Sequence, residues 1–375
     1  MSMAAEPTGD GDTRSRPLTI AQLAELAQVS TATVSKVVNG RSEVRPETRA
    51  LIERLIREHG YRPQRRRATF APLVELVFGD LDGEAPSEVA AGVERVTREH
   101  RLGVSVSRLR HGDVPWIEGV LSRRPTGVIS VFSDLTGTER EQLAARGIPL
   151  VLLDPRGEPP AEVVTVGASD WSAGLMATRH LLSLGHRRIA ALAGPADSLA
   201  ARARLDGYRT ALDMAGVPAA PELITAPAQP TRPDEAITPG EPQPITGAAG
   251  SGLRTGGGSP AASSGEAEVE RLLRLPSRPT AILTCADGQA AAVYRAAHRL
   301  GLRIPGDLSV VGFDAPLAGR WMDPPLTTVR RPLSEMAATA ADMLLRLARG
   351  EHPARPQVEL GADLILRGST TAAAA

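Results

Sequence analysis

Residues 18–63 read LTIAQLAELAQVSTATVSKVVNGRSEVRPETRALIERLIREHGYRP. Thr19 followed by Gln22 is a capping box, a pairing that satisfies the free amides at a helix start. Ile20, Leu23, Ala24 and Ala27 then recur at helical spacing and form an inner face. Ser30 caps a second helix running to about Asn39, with Val34 and Val37 or Val38 turned towards the first. Thr31, Ala32, Ser35 and Lys36 fall on its outer face. Pro46 suits the first turn of a third helix, where Leu51, Leu55 and Ile56 are expected to close a small core. Two short capped helices around a tight turn form a helix-turn-helix, whose second helix meets base edges through its N-terminal half.

Charge supports the same reading. The 375-residue chain is neutral overall, yet Thr13 to Thr69 holds twelve basic residues against five acidic ones. Such asymmetry is a nucleic-acid footprint; the alternative is a solvated helical surface on a three-helix bundle without a DNA role.

Outward from this head the pattern changes. Residues 1–16 are polar and read as a disordered tail. The connector 64–72 carries Arg65, Arg66 and Arg67, then Phe70 and Pro72. From Leu73, short apolar runs (LVELVF 73–78, GVIS 127–130, PLVLLD 149–154, VVTV 163–166, RIAALAG 188–194, TAILTCAD 280–287, LSVVGFD 308–314) alternate with longer amphipathic stretches. That alternation predicts βαβ units and a parallel sheet covered on both faces, with ligands bound off the carboxyl ends of the strands. Residues 218–265, rich in Pro, Gly, Thr, Ser and Ala, break the rhythm and read as a flexible insertion.

These motifs together resemble the lac repressor (LacI/GalR) family of bacterial transcription regulators. The resemblance rests on TIAQLAELAQVSTATVSKVVNG, VRPETR and GYRP in the head. GHRRIAALAGP (185–195), RARLDGY (202–208), IPGDLSVVGFD (304–314) and PPLTTV (324–329) follow in family order. It implies an all-α helix-turn-helix domain over 17–63, a hinge over 64–72 and a two-lobed α/β domain like periplasmic binding proteins over 73–370. Lobe 1 is expected at about 73–166 and 333–358, and lobe 2 at about 167–331 and 359–370.

Carried over by position, the resemblance implies base contacts from Thr31, Ala32 and Lys36. Thr31 and Ala32 suit a thymine methyl, and Lys36 suits guanine O6 and N7. Phosphates would be held by Thr19, Ser30, Thr33, Ser35 and Asn39. In the connector, Arg65, Arg66 and Arg67 are expected in the minor groove. Phe70 is either a wedge there or a side chain packed on the second domain. The family's turn glycine is replaced by Gln28, which implies a slightly altered turn.

For the effector the resemblance points to Asp154, Arg204 and Asp314 at strand or helix edges facing the cleft. Carboxylates and guanidiniums suit paired sugar hydroxyls; a cap or an ion pair is the alternative for each. Trp171 is a candidate for stacking on a sugar, or else a cover over a helix start. Asp287 reads as a cap. Ala286 and Arg331 stand where the family often has Asn and a neutral polar residue, a change that suits an anionic ligand.

The expected protein is a homodimeric, sequence-specific repressor released from a palindromic operator by a sugar-type effector. A corepressor-dependent regulator and a ligand-binding module without DNA function are the alternatives. Neither a nucleophile elbow, nor a P-loop, nor HExxH occurs, so neither an enzyme nor a cofactor is expected. His180 and His186 flank a helix end, where GHRR (185–188) reads as a C-cap with cations complementing the dipole. One cysteine excludes a disulfide framework. The chain has neither a signal pattern nor an apolar span, which makes a cytoplasmic, nucleoid-associated protein the expectation.

Overall fold

The computed structural model describes residues 19–38, 44–58, 71–79, 81, 84–109, 115–225, 260–285, 287–314 and 318–374. Asn39, Arg65, Arg66, Arg67, Phe70, Ala286 and the tail 1–16 lie outside them.

The head is three helices, α1 (Ile20–Leu26), α2 (Thr31–Val38) and α3 (Pro46–Glu58). The capping box forms: the Thr19 hydroxyl accepts from the Gln22 amide, and Gln22 Oε1 accepts from the Thr19 amide at 2.8 Å. Ser30 caps α2 by accepting from the Thr33 amide at 3.1 Å. Leu23, Ala24, Ala27, Val34, Val37, Val44 and Ile52 make the core. Leu51, Leu55 and Ile56 pack against this core as expected, and Ile52 joins them. It is fully buried, while Leu51, Leu55 and Ile56 flank it half-buried. The α3 seam thus runs through Ile52 and the residues three and four places on, as helical spacing allows.

Lobe 1 starts at β1 (Ala71–Phe78) and continues through α4 (Ala85–Glu99), β2 (Gly103–Arg108), α5 (Pro115–Arg123), β3 (Pro125–Val131), α6 (Gly137–Ala145), β4 (Leu150–Leu153) and β5 (Val164–Ala168). Lobe 2 follows with α7 (Asp170–Ser183), β6 (Ile189–Leu192), α8 (Leu199–Met214), α9 (Pro260–Leu273), β7 (Ala281–Thr284), α10 (Asp287–Arg299), β8 (Ser309–Phe313) and β9 (Thr327–Arg330). The chain then returns through α11 (Leu333–Ala348) and β10 (Gln357–Leu360) to lobe 1, and ends in lobe 2 with β11 (Asp363–Ile365). Lobe 1 holds six parallel strands in the order β10-β5-β4-β3-β1-β2. Lobe 2 holds β11-β9-β8-β7-β6, parallel except that β11 runs against β9. The chain therefore crosses between sheets three times, after Ala168, Arg330 and Leu360. Val, Leu, Ile and Ala fill both cores, as expected for strands covered on two faces.

The ends of the stretch 218–265 are built into lobe 2, which corrects its reading as an insertion throughout. Leu223 is buried in a short 3-10 turn, Ile224 bridges Ala191, and the Thr225 hydroxyl accepts from the Ala193 amide at 2.8 Å. From Pro260 the chain is helical. Two apolar residues within a polar stretch were enough to extend the sheet beyond β6.

A strap after β11 closes the far end of lobe 2. Ser369 is fully buried; its hydroxyl accepts from the Thr327 amide at 2.8 Å and donates to the Val310 carbonyl at 2.6 Å. His186 is buried beside it. Its Nδ1 lies 2.9 Å from the Thr280 hydroxyl, and its Nε2 lies 3.1 Å from the Ser309 hydroxyl and 3.0 Å from the Thr371 carbonyl. Burial pushes the pKa of His186 down against the Thr371 carbonyl, and that of His180 down too. The expected C-cap forms: Gly185 adopts φ 89°, and Arg187 Nη1 donates to the Leu182 carbonyl at 3.2 Å.

Candidate ligand cleft and nucleic-acid interface

Strand ends of both sheets meet between the lobes, at the candidate cleft. Phe132 follows β3 and Asp154 follows β4 in lobe 1; Cys285 follows β7 and Asp314 follows β8 in lobe 2. Phe132, Asp154 and Asp314 adopt φ of 51°, 52° and 76°. Aspartate tolerates this left-handed region better than most residues. Phenylalanine does so only under constraint, and here the conformation sets its ring 5.8 Å from the Arg331 guanidinium carbon.

Five charged side chains form one connected chain. Arg204, on α8, donates from Nε to Asp170 Oδ1 at 2.7 Å and from Nη1 to the Cys285 carbonyl at 2.6 Å. Its Nη2 stands 3.4 Å from Asp314 Oδ2, and its guanidinium carbon lies 4.7 Å from the Phe313 ring centre. Arg331 donates from Nε to Asp314 Oδ1 at 2.5 Å and from Nη1 to Asp154 Oδ2. Burial alone would raise the Asp314 carboxyl, but Arg331 and Arg204 outweigh it and hold the group below the usual range. Burial likewise opposes the charge on Arg331, yet Asp154 and Asp314 carry its pKa well above the ordinary value.

The cleft thus joins Asp154, Arg204 and Asp314, the three positions expected for the effector. Trp171 sits one residue after Asp170 in the first turn of α7, and its side chain is 44% exposed. Sequence reasoning passed over Asp170, Phe132 and Phe313, and took Arg331 only as a departure. Asp170 had a usable signal, an acid opening a helix directly after β5. Arg331, expected to suit an anionic ligand, has its guanidinium paired with two aspartates. An anion entering here would meet three carboxylates and two occupied guanidiniums. What remains available is carboxylate oxygen, which accepts from hydroxyls. Burial pushes the Cys285 thiol up, the opposite of what a nucleophile needs.

The helices α7 and α8 bring Asp170 and Arg204 together by close backbone approach. A methyl at Gly174 would fall on the Arg204 carbonyl oxygen, and one at Gly207 on the Trp171 carbonyl oxygen. Beside Gly207, Tyr208 is fully buried and donates to the Ile189 carbonyl at 2.8 Å.

On the head, Thr31 and Ala32 are exposed, while Thr33, Ser35 and Lys36 are half-buried. The Ser30 and Thr33 hydroxyls lie 2.9 Å apart, so this pair keeps one hydroxyl proton for an outside acceptor. Gln28 is exposed with φ 52°, a left-handed residue in the turn where glycine was replaced. Asp287 opens α10.

Comparison with known proteins gives the following. Residues 19–64 match the family model of bacterial regulatory proteins, lacI family. Residues 91–233 match periplasmic binding proteins and sugar binding domain of LacI family, and residues 178–370 match a periplasmic binding protein-like domain. The lactose operon repressor of Escherichia coli (strain K12) is 30% identical over 368 residues, covering 95% of this chain and 92% of that protein. The HTH-type transcriptional repressor CytR of the same strain is 28% identical over 363 residues, covering 94% and 96%. Among solved structures, the transcriptional regulator CelR–cellobiose complex aligns with a TM-score of 0.65 at 29% identity, covering 94% of this chain and all of that one. The lac repressor dimer bound to operator and the anti-inducer ONPF aligns at 0.62 and 28%, covering 95% and 100%.

Proposed function

This chain belongs to the lacI family of bacterial regulatory proteins, and from that premise we propose that it is a dimeric repressor released from its operator by a neutral, hydroxyl-rich ligand of the sugar type. The observation that carries the reading is the cleft in which Asp154 and Asp314 face each other from different lobes beside Arg204. Such a cleft grips a polyol from both sides, and binding that differs between two lobe arrangements shifts the DNA-binding equilibrium. Relatives support it: one solved structure is a CelR–cellobiose complex, and another is a lac repressor dimer bound to operator.

In this reading Thr31, Ala32 and Lys36 meet bases, and Ser30, Thr33 and Ser35 hold phosphates. Thr19 fits a phosphate less well than expected, because its hydroxyl already faces Gln22 Oε1 at 3.0 Å. It acts in the cytoplasm, where the DNA is; no described helix is long and apolar enough to cross a membrane.

The test is electrophoretic mobility of the DNA upstream of its own gene, without sugar and with a panel of neutral mono- and disaccharides that includes cellobiose. A shift lost on adding one of them is the expected result. A shift that appears only with a sugar would make the protein a corepressor-dependent regulator instead. No shift under any condition would sink the DNA role.

A further inference from the structure

Arg331 lies in the second crossover, between β9 and α11, and is 8% exposed. Its Nη1 reaches Asp154, at the end of a lobe 1 strand, and its Nε reaches Asp314, at the end of a lobe 2 strand. Its guanidinium carbon also lies over Phe132 of lobe 1. Among the described residues it makes the ion pair that joins the two sheets across the cleft. The neighbouring Arg330 pairs instead with Asp363 on β11, and both partners are at least half exposed. Without a cation between them, Asp154 and Asp314 would repel each other and favour an open cleft.

We propose that Arg331 is an internal occupant of the cleft. It ties the lobes in the empty protein and restricts the effector to molecules that take over, or add to, its two carboxylates. The cleft therefore admits uncharged polyols and amino sugars, and discriminates against sugar acids and sugar phosphates. The second half of this statement rests on the cleft being the effector site; the first half does not.

The experiment uses the full chain in the absence of ligand. The single cysteine is buried, so spin labels go on cysteines introduced at the exposed Glu99 of α4 and Met214 of α8. Labelled protein is diluted with unlabelled protein, so that distances within one chain are read. With Arg331 present, the distance distribution is narrow. Arg331→Gln broadens it or moves it outward, and Arg330→Gln leaves it unchanged. Asp154→Asn cuts only the lobe 1 end of the tie and must reproduce the broadening, which covers the case of an Arg331→Gln protein that does not fold. A distribution unmoved by either substitution overturns the tie.

Ligand class is then read by calorimetric titration of the unsubstituted chain with cellobiose, glucosamine, glucuronate and glucose 6-phosphate as probes. The acidic probes bind weaker by about tenfold or more than the neutral or amino ones. An acidic probe that binds as tightly as cellobiose or glucosamine overturns the specificity. Failure of all four overturns the sugar reading of the cleft on this panel, while the distance measurement still decides the tie.

Discussion

Arg204 Nε and Asp170 Oδ1 meet at 2.7 Å with both side chains shut away from solvent, one on α8 and the other opening α7. Removing one member of such a pair strands the other's charge, which costs about 3–5 kcal/mol. Arg204→Ala strands both Asp170 and the Arg204-facing oxygen of Asp314. Urea unfolding should show a stability loss of that order. The variant's lost ligand response would then report unfolding as much as lost contact. Asp314→Asn leaves the Arg204–Asp170 and Arg331–Asp154 pairs in place, so it should lose the response to an active sugar at a smaller stability cost than Arg204→Ala. An Arg204→Ala protein within about 1 kcal/mol of the parent would show that the pair does not hold the lobe.

The α7–α8 crossing admits no side chain at Gly174, since a methyl there meets the Arg204 carbonyl. Gly174→Ala should push the helices apart and cost about 1–3 kcal/mol. Its melting temperature should drop and its affinity for the active sugar should fall with it, because Arg204 moves with the backbone. An unchanged melting temperature would mean the crossing is loose.

His186 gives lobe 2 a pH dependence of definite sign. Its folded pKa lies below the ordinary 6.5 because burial disfavours the cation, despite the Thr371 carbonyl. The unfolded chain therefore binds a proton before the folded one does. Stability is full above about pH 6.5 and falls as the pH drops below it, until the folded pKa is reached. Melting temperature measured from pH 7.5 to 5 should decline, and His186→Gln should flatten the decline. An equal slope in the variant would assign the effect to other groups.

Gln28 occupies a left-handed turn that costs a side chain about 1–2 kcal/mol. Gln28→Gly relieves this but loses more chain entropy on folding, for a net gain of about 0.5–1 kcal/mol in the head. Amide exchange in α1 and α2 should slow in that variant. Faster exchange would show that the Gln28 side chain contributes contacts that outweigh the strain.

Lys36→Ala tests the reading helix. Discrimination at one base pair per half-site should relax by about 1–3 kcal/mol. An equal loss on every sequence would make Lys36 a phosphate contact.

Much of this architecture is readable in the sequence because it depends on local pattern. The capped helices of the head and the apolar runs of β1, β3 to β8 show it directly. What escapes is set by tertiary context. β2, at a sheet edge, has no buried position in GVSVSR, and β10 and β11 are short and likewise without a buried residue. The site divides the same way. Asp154 and Asp314 stand out as acids after apolar strands. Arg331 looks like a departure with a free charge until the fold shows both of its carboxylates. They come from strands whose order in space cannot be counted along the chain.

The strap of residues 369–371 bears on how the protein comes into being. Thr327, Val310, Ser309 and His186 all take hydrogen-bond partners from it, so lobe 2 lacks these contacts until it has left the ribosome. The head, complete by Glu58, precedes it by about three hundred residues, on the order of tens of seconds of translation at about 5–20 residues per second. During that interval the nascent chain carries a DNA reader whose sensor does not yet exist, and only the finished polypeptide can be told to let go.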